Sequence, residues 1–150
     1  MTMDTIENVS LSIRRTLAAP VDRVFHAWTD PAALRHWFAS GETYECLIAE
    51  TDLRVGGRYR LGMRSPDGEE NYVGGEYREI DPDRRLVFTW AWESTPERES
   101  RVTVEVRPEG DGTLLVLTHE RFADEAIRDL HHKGWTGCLD MLTRFLEAPA

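Results

Sequence analysis

Cysteine is scarce in this chain: two in 150 residues, Cys46 and Cys138, with no CxxC pair. That excludes a disulfide scaffold and a thiolate zinc site, and it fits a reducing, cytoplasmic setting. Long apolar runs are missing as well. No stretch approaches the roughly 18–20 residues that a membrane span needs. Met1 to Asn8 is polar, with no apolar signal core. An excess of positive charge is also absent, since 18 basic residues face 27 acidic ones, a formal net charge of −9. Such a domain grips phosphate backbones and anionic headgroups poorly, so neither nucleic acid nor a membrane is expected as partner. There is no GxSxG string and no GxGxxG or GxxxxGK loop. Gly56-Gly57 reads as a turn, and Gly74-Gly75 as a bulge or bend in a curled strand.

What remains is one domain's worth of chain, 17.2 kDa, with 41% hydrophobic and 30% charged residues. Ser10 to Ala18 alternates like a strand. Pro20 ends it and opens a helix with apolar residues at Val21, Val24, Phe25 and Trp28. Asp30-Pro31 is a cap followed by proline, and starts a second short helix carrying Leu34, Trp37 and Phe38. Thr43 to Glu50, Arg58 to Arg64, Asn71 to Ile80, Leu86 to Glu93, Glu99 to Arg107 and Thr113 to Arg121 read as strands. Ser65-Pro66-Asp67-Gly68, Asp81-Pro82-Asp83 and Glu109-Gly110-Asp111-Gly112 supply turns between them. Asp124 to Glu147 has no proline and predicts an amphipathic helix of about 36 Å. Ile127, Leu130, His131, Gly134, Trp135, Cys138, Met141, Leu142 and Phe145 form its apolar face. A meander and one long helix bury both apolar faces only by packing across each other. A curled sheet closed by a straight helix tends to leave a cavity between them.

Several strings have a familiar wording. Ala19-Pro20-Val21-Asp22-Arg23-Val24-Phe25-His26-Ala27-Trp28-Thr29-Asp30-Pro31 resembles the opening of the START-like (SRPBCC) superfamily. The branch is the one named after the activator of heat-shock-protein ATPase. Gly56-Gly57-Arg58-Tyr59, Gly75-Glu76-Tyr77-Arg78-Glu79-Ile80-Asp81-Pro82 and Arg85-Leu86-Val87-Phe88-Thr89-Trp90 are similar to its internal signatures. Thr118-His119-Glu120-Arg121-Phe122 and Gly134-Trp135 are similar to its C-terminal ones. The resemblance runs in order from Ser10 to Leu146. It implies an α+β helix-grip fold: a curved antiparallel sheet of six to seven strands around a long C-terminal helix, with two short helices after the first strand. Residues 1–9 are then a tail and 10–147 the domain. Superfamily members include lipid and hormone binders, polyketide cyclases and a co-chaperone domain, so function rests on the site.

The inward positions of these elements are the candidate ligand-binding residues. From the sheet they are Tyr59, Leu61, Met63, Tyr77, Phe88, Trp90, Trp92, Val104, Leu117 and His119, flanked by Val102, Val106 and Leu115. From the helix they are His131, Gly134, Trp135 and Cys138, beside Met141 and Leu142. Apolar, aromatic walls with a few polar groups are what small-molecule sites need, and they are equally what a core needs. Gly134 inside a helix costs about 1 kcal/mol relative to Ala, which close packing against the sheet or room for a ligand would explain. His119 and His131 face inward without a third ligand or a carboxylate at a recognisable spacing. His131-His132 are adjacent, about 100° apart, and cannot chelate together. Both cysteines read as small hydrophobes. Strict alternation puts Glu79 on the Tyr77 face, but a bulge after Gly74-Gly75 turns it outward, and that is the favoured placement.

The leading expectation is a cytoplasmic binding protein for a small apolar or aromatic molecule, monomer or homodimer, using no cofactor and no metal. One alternative is a co-chaperone-like interaction domain with a chaperone partner. The other is a cyclase or hydrolase using His119, His131 or Glu79, for which no catalytic residue is assigned.

Overall fold

A computed structural model describes residues 9–147; the expected tail lies outside these except for Val9. Ser10–Leu17 forms β1, its Leu11 and Leu17 buried and Ser12, Arg14 and Thr16 outward. Pro20 precedes α1, Val21–Thr29. Its buried side chains recur at Val24, Phe25 and Trp28, a helical spacing. Asp30 caps α2, Pro31–Trp37, accepting a hydrogen bond from the Ala33 amide at 3.0 Å. Proline at the first helical position costs no hydrogen bond there.

The strands β2 (Glu45–Thr51), β3 (Arg58–Arg64), β4 (Glu70–Asp81), β5 (Arg85–Trp92), β6 (Ser100–Glu109) and β7 (Gly112–Glu120) follow. Among the described residues they form one seven-stranded antiparallel sheet with β1, in the order β1-β7-β6-β5-β4-β3-β2. Asp124 then accepts from the Ile127 amide at 2.8 Å and opens α3, Glu125–Glu147. This is the helix-grip arrangement. No helix of the described residues is long and apolar enough to cross a membrane.

Three local expectations need correction. The bulge that turns Glu79 outward is present, but it lies between Tyr77 and Glu79, past Gly74-Gly75 rather than on that pair. One extra residue there inverts the alternation. Tyr77 therefore stays buried, while Glu79 turns outward and pairs with Arg85 at 3.2 Å. The buried stripe of α3 is rotated from the expected one. Leu139 and Leu146 are sealed inside with Trp135, Cys138 and Leu142, whereas Leu130 is 71% exposed. At about 100° per residue Leu130 lies on the opposite side of the helix from Leu139, whereas Ile127 in the same turns packs against the core. Finally, the tight glycine of α3 is Gly137. A Cβ there would sit 1.8 Å from the Ser40 carbonyl oxygen, whereas at Gly134 it would make an ordinary 3.6 Å contact with Ser40 Oγ.

Candidate functional site

The space between sheet and α3 is filled largely by aromatic rings. Trp28 meets Trp37 edge-on at 4.8 Å and Trp135 at 5.8 Å. Trp135 lies 5.1 Å from Trp90, which meets Trp92 edge-on at 5.5 Å. Tyr59, Tyr77 and Phe88 form a second cluster beside this chain, with centroids 5.3–6.3 Å apart. What the rings leave open is a cavity of ≈ 20 Å³. That exceeds the about 10–15 Å³ one water molecule needs and falls far short of a drug-sized ligand. Its wall includes the expected Tyr59, Leu61, Tyr77, Phe88, Trp90 and Trp135. Trp28, Leu34, Phe38, Thr51 and Leu86 complete it, and sequence reading had placed none of these five in the lining. The helical stripe of α1 and α2 signalled that Trp28, Leu34 and Phe38 are inward, but not which space they meet.

A larger cleft of ≈ 320 Å³ opens where the end of β5 meets the start of α3. Trp90, Trp92, Phe122, Ile127 and His131 give it an apolar floor, and Glu97, Arg98, Glu99 and Arg121 a charged rim. Arg121 adopts a left-handed backbone, φ 72°. Phe122, next along the chain, is buried against His119 with ring centroids 4.2 Å apart. Arg98 and Arg121 carry no side-chain ion pair among the described residues. Trp90 borders both spaces. Two wider grooves, ≈ 690 and ≈ 490 Å³, are rimmed by ion-paired residues such as Arg85 with Glu105 and Arg60 with Glu93.

Both inward histidines are tied into this site by indoles. Trp135 Nε1–H donates to His119 Nδ1 at 3.0 Å. That leaves the ring proton on Nε2, which donates to Ser100 Oγ at 2.7 Å, and the Ser100 hydroxyl passes its own proton to the Trp90 carbonyl at 3.1 Å. Trp92 Nε1–H donates to His131 Nε2 at 2.9 Å, and His131 Nδ1–H donates to the Ile127 carbonyl at 2.9 Å. Each imidazole is neutral with both nitrogens engaged. Burial holds the pKa of His119 well below the usual value, and nearby His131 lowers it further. Burial also lowers His131, against a smaller opposing effect of the Ile127 carbonyl. Neither ring can take a proton in general-base fashion without losing an indole partner.

The other sequence candidates lie elsewhere. Met63, Val104, Leu117, Gly134 and Cys138 border neither the cavity nor the cleft, and His119 sits behind Trp90 and Trp135. Burial pushes the Cys138 thiol up to about 12 and the Cys46 thiol to about 11, so both stay protonated. Among the described residues no three His, Cys, Asp or Glu side chains converge as metal ligands would.

Comparison with known proteins agrees with this architecture. A search among curated proteins found no match. A solved structure from Chromobacterium violaceum is 28% identical and superposes with a TM-score of 0.84, over 94% of this chain and 99% of that one. One from Rhizobium leguminosarum is 32% identical, TM-score 0.79, over 94% and 95%. CalU16 from Micromonospora echinospora is 34% identical, TM-score 0.72, over 92% and 76%. The model of the family described as "Activator of Hsp90 ATPase homolog 1-like protein" matches residues 18–147, from the end of β1 through α3. The chain belongs to that family, within the START-like superfamily whose helix-grip fold it shares.

Proposed function

We propose that this protein binds a small, largely apolar molecule, in the cytoplasm, where the cleft meets the helix–sheet interior. The observation that carries the reading is the position of Trp90, which lines both the cleft and the interior cavity. The cleft alone is near the lower limit of about 300–1,000 Å³ for small-molecule sites. Displacing one ring adds the interior to it. The floor supplies apolar area, and the rim of Arg98, Arg121, Glu97 and Glu99 supplies orientation. No cofactor or metal enters this reading.

The test is a panel of lipids, flavonoids and aromatic polyketide-like molecules, followed by tryptophan fluorescence and thermal shift. A binder should change the emission of Trp90 and Trp92 saturably, at one molecule per chain. At a free concentration of a hundred times Kd it should stabilise the fold by about 2.7 kcal/mol. A panel in which nothing shifts either signal removes the reading.

Membership of this family supports a second reading, a co-chaperone-like interaction domain. The large apolar residues exposed among the described ones are Leu53 and Val55 in the loop after β2, and Leu130 on α3. A pull-down with no chaperone bound would remove it. The cyclase or hydrolase reading ranks below both, because His119 and His131 are fully hydrogen-bonded and Glu79 is outside.

A further inference from the structure

The five tryptophans divide into two kinds. Trp37, Trp92 and Trp135 each donate their indole N–H to a named acceptor: the Ala27 carbonyl at 2.8 Å, His131 and His119. Trp28 and Trp90 do not. Both rings are almost fully buried, 5% and 4% exposed, and neither Nε1–H has an acceptor among the described residues. A buried donor without a partner is costly, so native interiors contain few. These two share one further property: both wall the same interior cavity.

None of the other polar groups of that wall takes up these two protons. The Thr51 hydroxyl donates to the Thr29 carbonyl at 3.3 Å, and the Tyr59 hydroxyl to the Thr89 carbonyl at 2.5 Å. Burial keeps Tyr77 protonated, a further hydroxyl donor. No charged side chain borders the cavity. The site therefore holds two unpartnered donors and is hostile to charge. Its walls are aromatic, which favours a flat ligand.

From this juxtaposition we infer that the Trp28 and Trp90 indole N–H groups are the hydrogen-bond donors of the ligand site, and that its ligand is an uncharged aromatic molecule with a carbonyl oxygen, an aryl ketone in class. The inference rests on the binding reading above and sharpens it. A hydrocarbon leaves both donors unpaired. A carboxylate brings a charge with no cation to meet it. A ketone oxygen has two lone pairs and can accept from both indoles. Trp90 has a second part to play. Its indole has no hydrogen bond to hold it, so the ring that lines both cavity and cleft can give way to a ligand entering from the cleft.

The experiment uses the full chain, labelled with ¹⁵N, and a matched pair of probes, 1-tetralone and tetralin. Five indole N–H cross-peaks are expected, and triple-resonance assignment identifies each without mutation. Addition of 1-tetralone should move the Trp28 and Trp90 peaks downfield and leave Trp37 nearly still. Corrected for octanol–water partition, 1-tetralone should bind about tenfold tighter than tetralin. In W28F and W90F that preference should shrink while tetralin binding persists. If either variant fails to fold, the wild-type peaks carry the result alone. Equal corrected affinities, or shifts that spare Trp28 and Trp90, overturn the acceptor assignment while the apolar-binding reading stands. Contacts from both indoles to a bound water that 1-tetralone does not displace overturn it too. If neither probe binds, both the inference and the reading beneath it fall for this ligand class.

Discussion

Gly137 carries the sharpest steric prediction. A Cβ at that position would lie 1.8 Å from the Ser40 carbonyl oxygen and 2.6 Å from its carbon. Both are backbone atoms, so no rotamer change relieves the contact. An ordinary separation is about 3.5 Å, so α3 or the segment after α2 has to move by more than about 1 Å. The helix cannot drift freely, because its neighbours Cys138, Leu139 and Leu142 are sealed in the core. Overpacking of this kind costs about 1–3 kcal/mol, or more where backbone is the obstacle. Alanine returns about 1 kcal/mol of helix propensity. Gly137→Ala should thus lose about 2 kcal/mol, a Tm drop of about 4–8 °C for a chain this size. Gly134→Ala is the control. Its Cβ would be 3.6 Å from Ser40 Oγ, an ordinary contact, so the propensity gain survives and Tm should rise by about 2–4 °C. Urea unfolding followed by circular dichroism, with unchanged m-values, reads both. A Gly137→Ala protein at or above wild-type stability refutes the packing argument. So do two variants that shift in the same direction.

Three other outcomes follow from the site. His119 and His131 have folded pKa values below the ordinary 6.5, so the unfolded chain takes up protons that the folded one refuses as pH falls. Their contribution is full above about pH 6.5 and lost below it, by up to about 1.4 kcal/mol per pH unit for each ring. A urea midpoint that is flat or rising from pH 7 to pH 5 contradicts this. Ser100→Ala strips the acceptor from His119 Nε2–H and the donor from the Trp90 carbonyl; calorimetry should show a loss of about 1–3 kcal/mol, and a loss under about 0.5 kcal/mol means the relay is not formed. Glu79→Gln removes an exposed pair with Arg85, so stability should stay within about 0.5 kcal/mol and ligand affinity should not change. A large change in affinity would put Glu79 in the site.

The fold was legible because each level of the chain agrees with the next. Pro20, Asp30 and Asp124 mark the three helix starts, and the Asp and Gly turns separate strands whose alternation survives into the sheet. What escaped was whatever depends on an exact rotation or register. The bulge that turns Glu79 outward was expected after Gly74-Gly75, but its exact place, with Arg78 as the extra residue, was not. A rotation of α3 put Leu139 and Leu146 into the core and left Leu130 in solvent. Gly134 and Gly137 are alike in a periodicity argument; only the approach of Ser40 distinguishes them. The site was legible as a set of inward residues and illegible as a shape. His119 and His131 could be placed inside by alternation and helical spacing. That each is held by an indole N–H, and that two other indoles lack a partner, is a property of ring orientations set by the whole core.

The central claim is that a small apolar ligand enters from the cleft and meets Trp90. The most direct test is an intermolecular NOE spectrum between ¹³C-labelled protein and the tightest unlabelled ligand of the panel. The account predicts contacts from ligand protons to the ring protons of Trp90, Trp92 and Phe122. Contacts confined to Leu53 and Val55, or to the outer groove near Arg85 and Glu105, would contradict it.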